Sequence, residues 1–102
     1  MKTLFIDSSS NKEITVGLYI DSKRILLKKV MDFHKAQIIL PMVEEILKKH
    51  RLVLQDLDVI EVNPGPGSFT GVRVGVSIAN ALSYALGIPV NGKRTPVEPL
   101  YS

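Results

Sequence analysis

Leu57-Asp58-Val59-Ile60-Glu61-Val62-Asn63-Pro64-Gly65-Pro66-Gly67-Ser68-Phe69-Thr70 decides the fold, because it passes from a strand through a stiff turn into a helix. Leu57 to Val62 is nearly continuous in apolar residues apart from its acids, the pattern of a strand inside a layered fold. Asn63 to Ser68 holds two prolines and two glycines and reads as a loop. From Thr70 to Leu86 apolar and small residues recur at helical spacing, and Gly87 with Pro89 beyond it ends the helix. Ile88-Pro89-Val90 then starts a further strand. Strand, helix and strand in this order form a right-handed crossover between parallel strands.

Upstream, the pattern changes. Thr3 to Asp7 is a short apolar strand that ends in Ser8-Ser9-Ser10-Asn11, Glu13 to Ile20 resumes strand-forming residues up to Asp21-Ser22, and Arg24 to Phe33 gives a third extended segment. Short polar turns make these three an antiparallel meander. Between His34 and His50 the period becomes helical, with Ala36, Ile39, Leu40, Val43, Ile46 and Leu47 on one face. Pro41 falls inside this helix and either kinks its first turns or marks where the regular part begins. The order β-β-β-α-β-α-β predicts one α/β lobe over residues 1–102 with a mixed five-stranded sheet, and an irregular tail over 93–102.

Composition bounds the function. With 102 residues the chain has apolar side chains for one core and not for two domains facing each other across a cleft. Zero cysteines exclude disulfides, thiolate metal sites and thiol catalysis, and fit a reducing compartment, with the cytoplasm as the expected location. The opening Met1-Lys2-Thr3-Leu4-Phe5-Ile6-Asp7 is too short in apolar residues for a secretory signal, and no apolar run reaches membrane-spanning length. Net charge is +3, with basic clusters at Lys28-Lys29, Lys48-Lys49-His50-Arg51 and Lys93-Arg94, which suit a solvated surface as well as a nucleic-acid patch.

Several nucleotide and hydrolase motifs fail on inspection. The loop Gly65-Pro66-Gly67-Ser68-Phe69-Thr70-Gly71 precedes a helix whose N–H groups suit a phosphate, with Arg73 one turn in. A dinucleotide fingerprint needs glycine at Thr70 and an acid near Gly87, and neither is present; the alternative is a stiff turn capped by Ser68 or Thr70. Gly87 to Arg94 has P-loop spacing, but Arg94 stands where a magnesium-binding hydroxyl belongs. Ser68 lacks the flanking glycines of a nucleophile elbow. His34 and His50 sit at opposite ends of one helix and cannot share an ion, so no metal site is expected.

Gly67, Gly71, Gly75, Ala79, Ser83 and Gly87 recur every four residues, and those within the helix form a ridge that another backbone can approach closely. The opposite arc holds Arg73, Ser77, Asn80 and Tyr84, with Arg73 the one charge between Thr70 and Leu86. A helix bathed in water on its outer face normally shows several charges. The expected partner interface is therefore Gly71, Gly75, Ala79 and Ser83, flanked by Ile38 and Met42 outside the core face of the first helix. The alternative is that the small residues let the helix settle on its own sheet.

The run Gly65-Pro66-Gly67-Ser68-Phe69-Thr70-Gly71-Val72-Arg73-Val74-Gly75, with Leu86-Gly87-Ile88-Pro89-Val90 after it, resembles the signature of the TsaB (YeaZ) family of threonylcarbamoyladenosine-synthesis subunits. Leu4-Phe5-Ile6-Asp7-Ser8-Ser9, His34 before a helix with Leu40-Pro41, and Leu54-Gln55-Asp56-Leu57-Asp58 add to the likeness, while Lys35 stands where members usually have serine. The resemblance covers the first lobe of a two-lobed, actin-like (ribonuclease H-like) architecture. It implies a non-catalytic subunit that binds a TsaD-like catalytic subunit through first-lobe helices, with a TsaE-like ATPase joining. The assembly it implies transfers threonylcarbamoyl to adenosine 37 of tRNA, which this chain meets indirectly.

Two functions follow as expectations. The first is a docking subunit without catalytic residues, metal or cofactor. The second is a nucleotide-binding or ATP-hydrolysing enzyme of the actin-like superfamily, acting as a homodimer through Asp7, Ser8 and the glycine loop. Asp7-Ser8-Ser9-Ser10 occupies the place of that superfamily's phosphate loop but has no glycine to bring backbone against phosphate, which disfavours ATP. A homodimer is expected from either.

Overall fold

A computed structural model describes residues 1–10, 12–30, 35–67 and 69–100, with 28–30, 35, 36 and 69 described by their backbone alone. The elements run β1 (Lys2–Asp7), β2 (Glu13–Ile20), β3 (Lys23–Val30), α1 (Lys35–Lys49), a 3₁₀ turn at Leu54–Asp56, β4 (Val59–Val62) and α2 (Phe69–Leu86). They form one sheet in the order β3-β2-β1-β4, antiparallel throughout the meander and parallel between β1 and β4. The meander and the parallel crossover are those expected.

Asp21 and Ser22 make the two-residue turn between β2 and β3, with Ile20 opposite Lys23. Asp21 takes a positive φ of 56°, which short polar side chains tolerate. Leu4 and Ile6, Ile14, Val16 and Leu18, and Ile60 and Val62 alternate along their strands and share one buried face. Both helices cover that face, α1 over β2 and α2 over β4 and β1, and they touch each other.

The fifth strand shrinks to a single residue. Val90 makes one parallel bridge to Ile60, and the chain then turns back so that Val90 N donates to Lys93 O at 2.9 Å. Pro89 has no N–H, while Asn91 (φ 51°) and Gly92 (φ 77°) are left-handed, so no ladder can continue. β4 begins at Val59 instead of Leu57 because Leu57 turns into the core and Asp58 accepts the Lys2 N–H at 2.7 Å. The expected start of α1 at His34, and the end of the third segment at Phe33, lie outside the described residues.

α1 is continuous through Pro41, whose ring sits on the exposed side. Its core stripe is Ile39, Met42, Val43, Ile46 and Leu47. Met42 is therefore not a flank residue: it is fully buried, and Leu40, expected in the core, is 44% exposed. The reason is that α1 packs against the sheet beneath it and against α2 beside it, so two neighbours set its buried arc and rotate it away from Leu40. Ile38 is half-buried and packs on the core edge.

Candidate functional site

The carboxyl ends of β1 and β4, side by side and parallel, meet the start of α2. Asp7, the last residue of β1, accepts the Ser9 N–H at 3.0 Å and the Ser9 hydroxyl at 2.6 Å on Oδ1. Its Oδ2 accepts from Asn63 Nδ2 at 3.3 Å, and Asn63 also reaches Ser9 Oγ at 3.2 Å. Asn63 Oδ1 in turn accepts the Gly65 N–H at 3.0 Å. The Asp7 carboxylate thus ties the loop after β1 to the loop after β4.

Ser8 points the other way. It is fully buried, and its hydroxyl donates to the Gly71 carbonyl at 2.5 Å, clamping the first turn of α2 onto the end of β1. A Cβ at Gly75 would collide with Ser8 Oγ, and one at Gly67 would lie 2.6 Å from the Ser9 carbonyl oxygen. Gly65 has φ 102° and a cis bond to Pro66, and the Leu100 carbonyl occupies the space of its missing side chain. Gly65, Gly67 and Gly75 are thus points where other parts of this chain approach closely, backbone at the first two and the Ser8 side chain at the third. Of the two residues expected at a nucleotide site, Ser8 is turned into the core and bonded to Gly71, and Asp7 is engaged with Ser9 and Asn63.

The ridge is corrected in the same way. Gly71, Gly75, Ala79 and Ser83 are all buried against β1, β4 and the turn after α2, so they form no partner surface. Ser83 Oγ donates to the Ile88 carbonyl at 2.5 Å, and its own carbonyl accepts the Gly87 N–H at 2.9 Å, which builds the glycine cap. Small residues let α2 seat deeply on its sheet. The outward face of α2 is instead Thr70, Arg73, Ser77, Ala81 and Tyr84, with Tyr84 91% exposed and Val74 and Ile78 half-exposed beside it. Arg73 is the one charged residue among the eighteen of α2.

Of the motif loop, Gly65 and Gly67 are half-buried and Pro66 and Thr70 exposed, while Ser68 and the Phe69 side chain lie outside the described residues. Sequence reasoning missed three asparagines. Asn63 ties the two loops, Asn80 bonds both backbone groups of Val97 at 3.1 and 2.8 Å, and Asn91 bonds both of Val62 at 2.8 and 3.0 Å. Asparagine carries a donor and an acceptor in one plane, as a peptide does, but nothing in sequence spacing names the partner. Asn80 and Tyr84 border a half-open cleft of about 260 Å³ whose far wall includes Arg94 and Pro96. His50 lies at the end of α1 with Nδ1 2.9 Å from the Ile46 carbonyl oxygen, and Arg94 Nη1 donates to the Gly87 carbonyl at 3.1 Å.

Comparison with known proteins adds to this geometry. The family model described as "TsaD: tRNA N6-adenosine threonylcarbamoyltransferase" matches residues 29–93. The tRNA threonylcarbamoyladenosine biosynthesis protein TsaB of Escherichia coli (strain K12) is 35% identical over 95 residues, 93% of this chain and 41% of that protein. TsaB of Haemophilus influenzae is 35% identical over 88 residues, 86% of this chain and 37% of that protein. The structure of YeaZ from Pseudomonas aeruginosa superposes with a TM-score of 0.82 at 33% identity, covering 88% of this chain and 43% of that one. The fold is thus that of the first actin-like lobe, and the chain spans about two-fifths of the length of the relatives it matches.

Proposed function

The chain belongs to the TsaD-type family and groups with TsaB (YeaZ), and from that premise we propose that it serves tRNA threonylcarbamoyladenosine biosynthesis as a docking subunit. The outward face of α2 binds a TsaD-like catalytic subunit, a TsaE-like ATPase joins the pair, and tRNA is met through the assembly. One observation carries the reading: α2 presents Ser77, Ala81 and Tyr84 to solvent around a single charge, Arg73. Surfaces so poor in charge and crowned by an exposed aromatic suit protein contact. Leu40 of α1 adds a second exposed apolar side chain on the helical layer. The interface residues differ from the ridge expected at first, while the helix is the same.

The chain works without a nucleotide of its own in this reading, since the Ser8 hydroxyl is committed to Gly71. Without the catalytic subunit the same face pairs with a second copy. Among the described residues no helix is long and apolar enough to cross a membrane. A role in tRNA modification puts the chain with its tRNA in the cytoplasm in this reading. The test is sedimentation velocity of the chain with the TsaD-like subunit of the same organism, followed by tRNA modification with and without the chain. A complex and chain-dependent modification are expected. Absence of a complex together with tight magnesium-ATP binding by the chain alone would overturn the reading.

A further inference from the structure

The two edges of the sheet are finished differently. Asp21 N donates to Met1 O at 3.2 Å, which sets the odd-numbered residues of β2 toward β1 and Ile14, Val16, Leu18 and Ile20 toward β3. Their partners in register are Lys29, Leu27, Ile25 and Lys23. The backbone N–H and C=O groups of Arg24, Leu26 and Lys28 therefore point away from the sheet, and among the described residues β2 is the one strand paired with β3. At the other edge β4 is closed. Ile60 N donates to Pro89 O at 3.0 Å, Asn91 N donates to Ile60 O at 2.9 Å, and the Asn91 side chain accepts from Val62 N and donates to Val62 O.

The open edge has a distinct chemistry. Lys23-Arg24-Ile25-Leu26-Leu27-Lys28-Lys29-Val30 puts an apolar centre between two basic pairs and contains no acid. Leu26 is 39% exposed, and Ile25 and Leu27 are half-buried at the margin of the core. Basic residues on an edge oppose pairing with an identical edge, because like charges would stand opposite one another. They favour an acidic strand for the same reason.

We propose that the β3 edge is a binding site for an extended polypeptide segment with acidic ends and an apolar centre, which joins the sheet beside β3. Main-chain hydrogen bonds to Arg24, Leu26 and Lys28 supply affinity. Acids in register with the basic pairs and apolar residues in register with Ile25 to Leu27 supply selection. The added strand completes the burial that Ile25 and Leu27 lack.

Fluorescence anisotropy of a labelled peptide of two glutamates, three valines and two glutamates tests this on the intact chain. Three further probes are the same peptide N-methylated at alternate amides, its lysine counterpart, and a decauridylate oligonucleotide. We expect the glutamate peptide to bind, the N-methylated form to bind at least tenfold more weakly, and the lysine form not to bind. Hydrogen exchange at the Arg24 and Leu26 amides slows in the complex. Arg24→Glu, at an exposed position, weakens binding about tenfold. Equal binding of the N-methylated peptide, no binding of the glutamate peptide, or binding of the oligonucleotide alone overturns the proposal.

Discussion

Ser8 Oγ fills the space that a Cβ on Gly75 would need, and it does so while donating to the Gly71 carbonyl one turn earlier in the same helix. Helix propensity alone favours alanine over glycine by about 1 kcal/mol. Here the steric term wins, because Ser8 is fully buried and cannot turn aside without losing its bond. Gly75→Ala is expected to destabilise the chain by about 1–2 kcal/mol in urea unfolding, after the propensity gain is subtracted from an overpacking cost of about 2–3 kcal/mol. In a Ser8→Ala background the nearest obstacle is Ser8 Cβ at 3.3 Å and the same substitution becomes nearly neutral. A double-mutant cycle reads the difference as coupling; strict additivity would remove the steric account.

The Asp7 carboxylate accepts from three donors, the Ser9 amide, the Ser9 hydroxyl and Asn63 Nδ2. Asp7→Asn keeps the shape but replaces one acceptor oxygen with an NH₂ group facing a donor. The expected loss is about 1–2 kcal/mol of unfolding free energy, the cost of one broken hydrogen bond and one donor left unpaired. Asn63→Asp alone places two carboxylates together and costs more, while the exchanged pair recovers part of both losses. Unchanged urea midpoints in both single variants would show that the loops hold together without this contact.

Most of the element order was legible in the sequence because each signal was local. Runs of strand-forming residues in β1 to β3, Asp21-Ser22 between strands and Gly87 with Pro89 after α2 each act within a few residues. What the sequence concealed depends on distant partners. Met42 lies inward and Leu40 outward because α2 packs against α1, which no periodicity within α1 reveals. The ridge from Gly71 to Ser83 was visible, but its direction was not, since small residues suit a neighbouring sheet and a foreign helix equally. Ser8 decides the matter from sixty-three residues away. The fifth strand stopped at Val90 because Asn91 and Gly92 turn left-handed, and Asn91 then spends its side chain on Val62.

That asparagine gives a third prediction. Asn91→Gly preserves the left-handed backbone but removes both side-chain bonds to Val62. The Val62 N–H and C=O then become a second open edge. Stability falls by about 1–2 kcal/mol, and light scattering at high protein concentration shows association beyond the dimer expected of the unaltered chain, since exposed strand edges template pairing. A monodisperse Asn91→Gly variant would mean that the tail seals β4 without it.

Asn80 holds the tail at one point, through both backbone groups of Val97, and Leu100 N donates to Pro64 O at 2.6 Å further along. Asn80→Ala releases the first of these anchors. Hydrogen exchange at Val97 is expected to accelerate about tenfold or more, as the loss of about 1.4 kcal/mol of local protection implies, while amides in β1 and β2 keep their rates. Acceleration spread evenly over the sheet would instead make Asn80 part of the global core.

The docking face can be separated from the fold because its residues do little for the monomer. Ala81 is exposed on the outward side of α2, four residues from Ser77 and three from Tyr84. Ala81→Arg adds a long charged side chain to a strip whose single charge is Arg73. Monomer stability is expected to change by no more than about 0.5 kcal/mol, as for other surface substitutions. Binding to the TsaD-like subunit weakens at least tenfold, because a guanidinium is forced under an apolar contact without a partner. Gln55→Arg, equally exposed but in the turn before β4, is the control and leaves binding unchanged. Were Ala81→Arg to bind as the unaltered chain does while Gln55→Arg did not, the contact would belong to the far end of the sheet and the charge-poor strip of α2 would need another occupant.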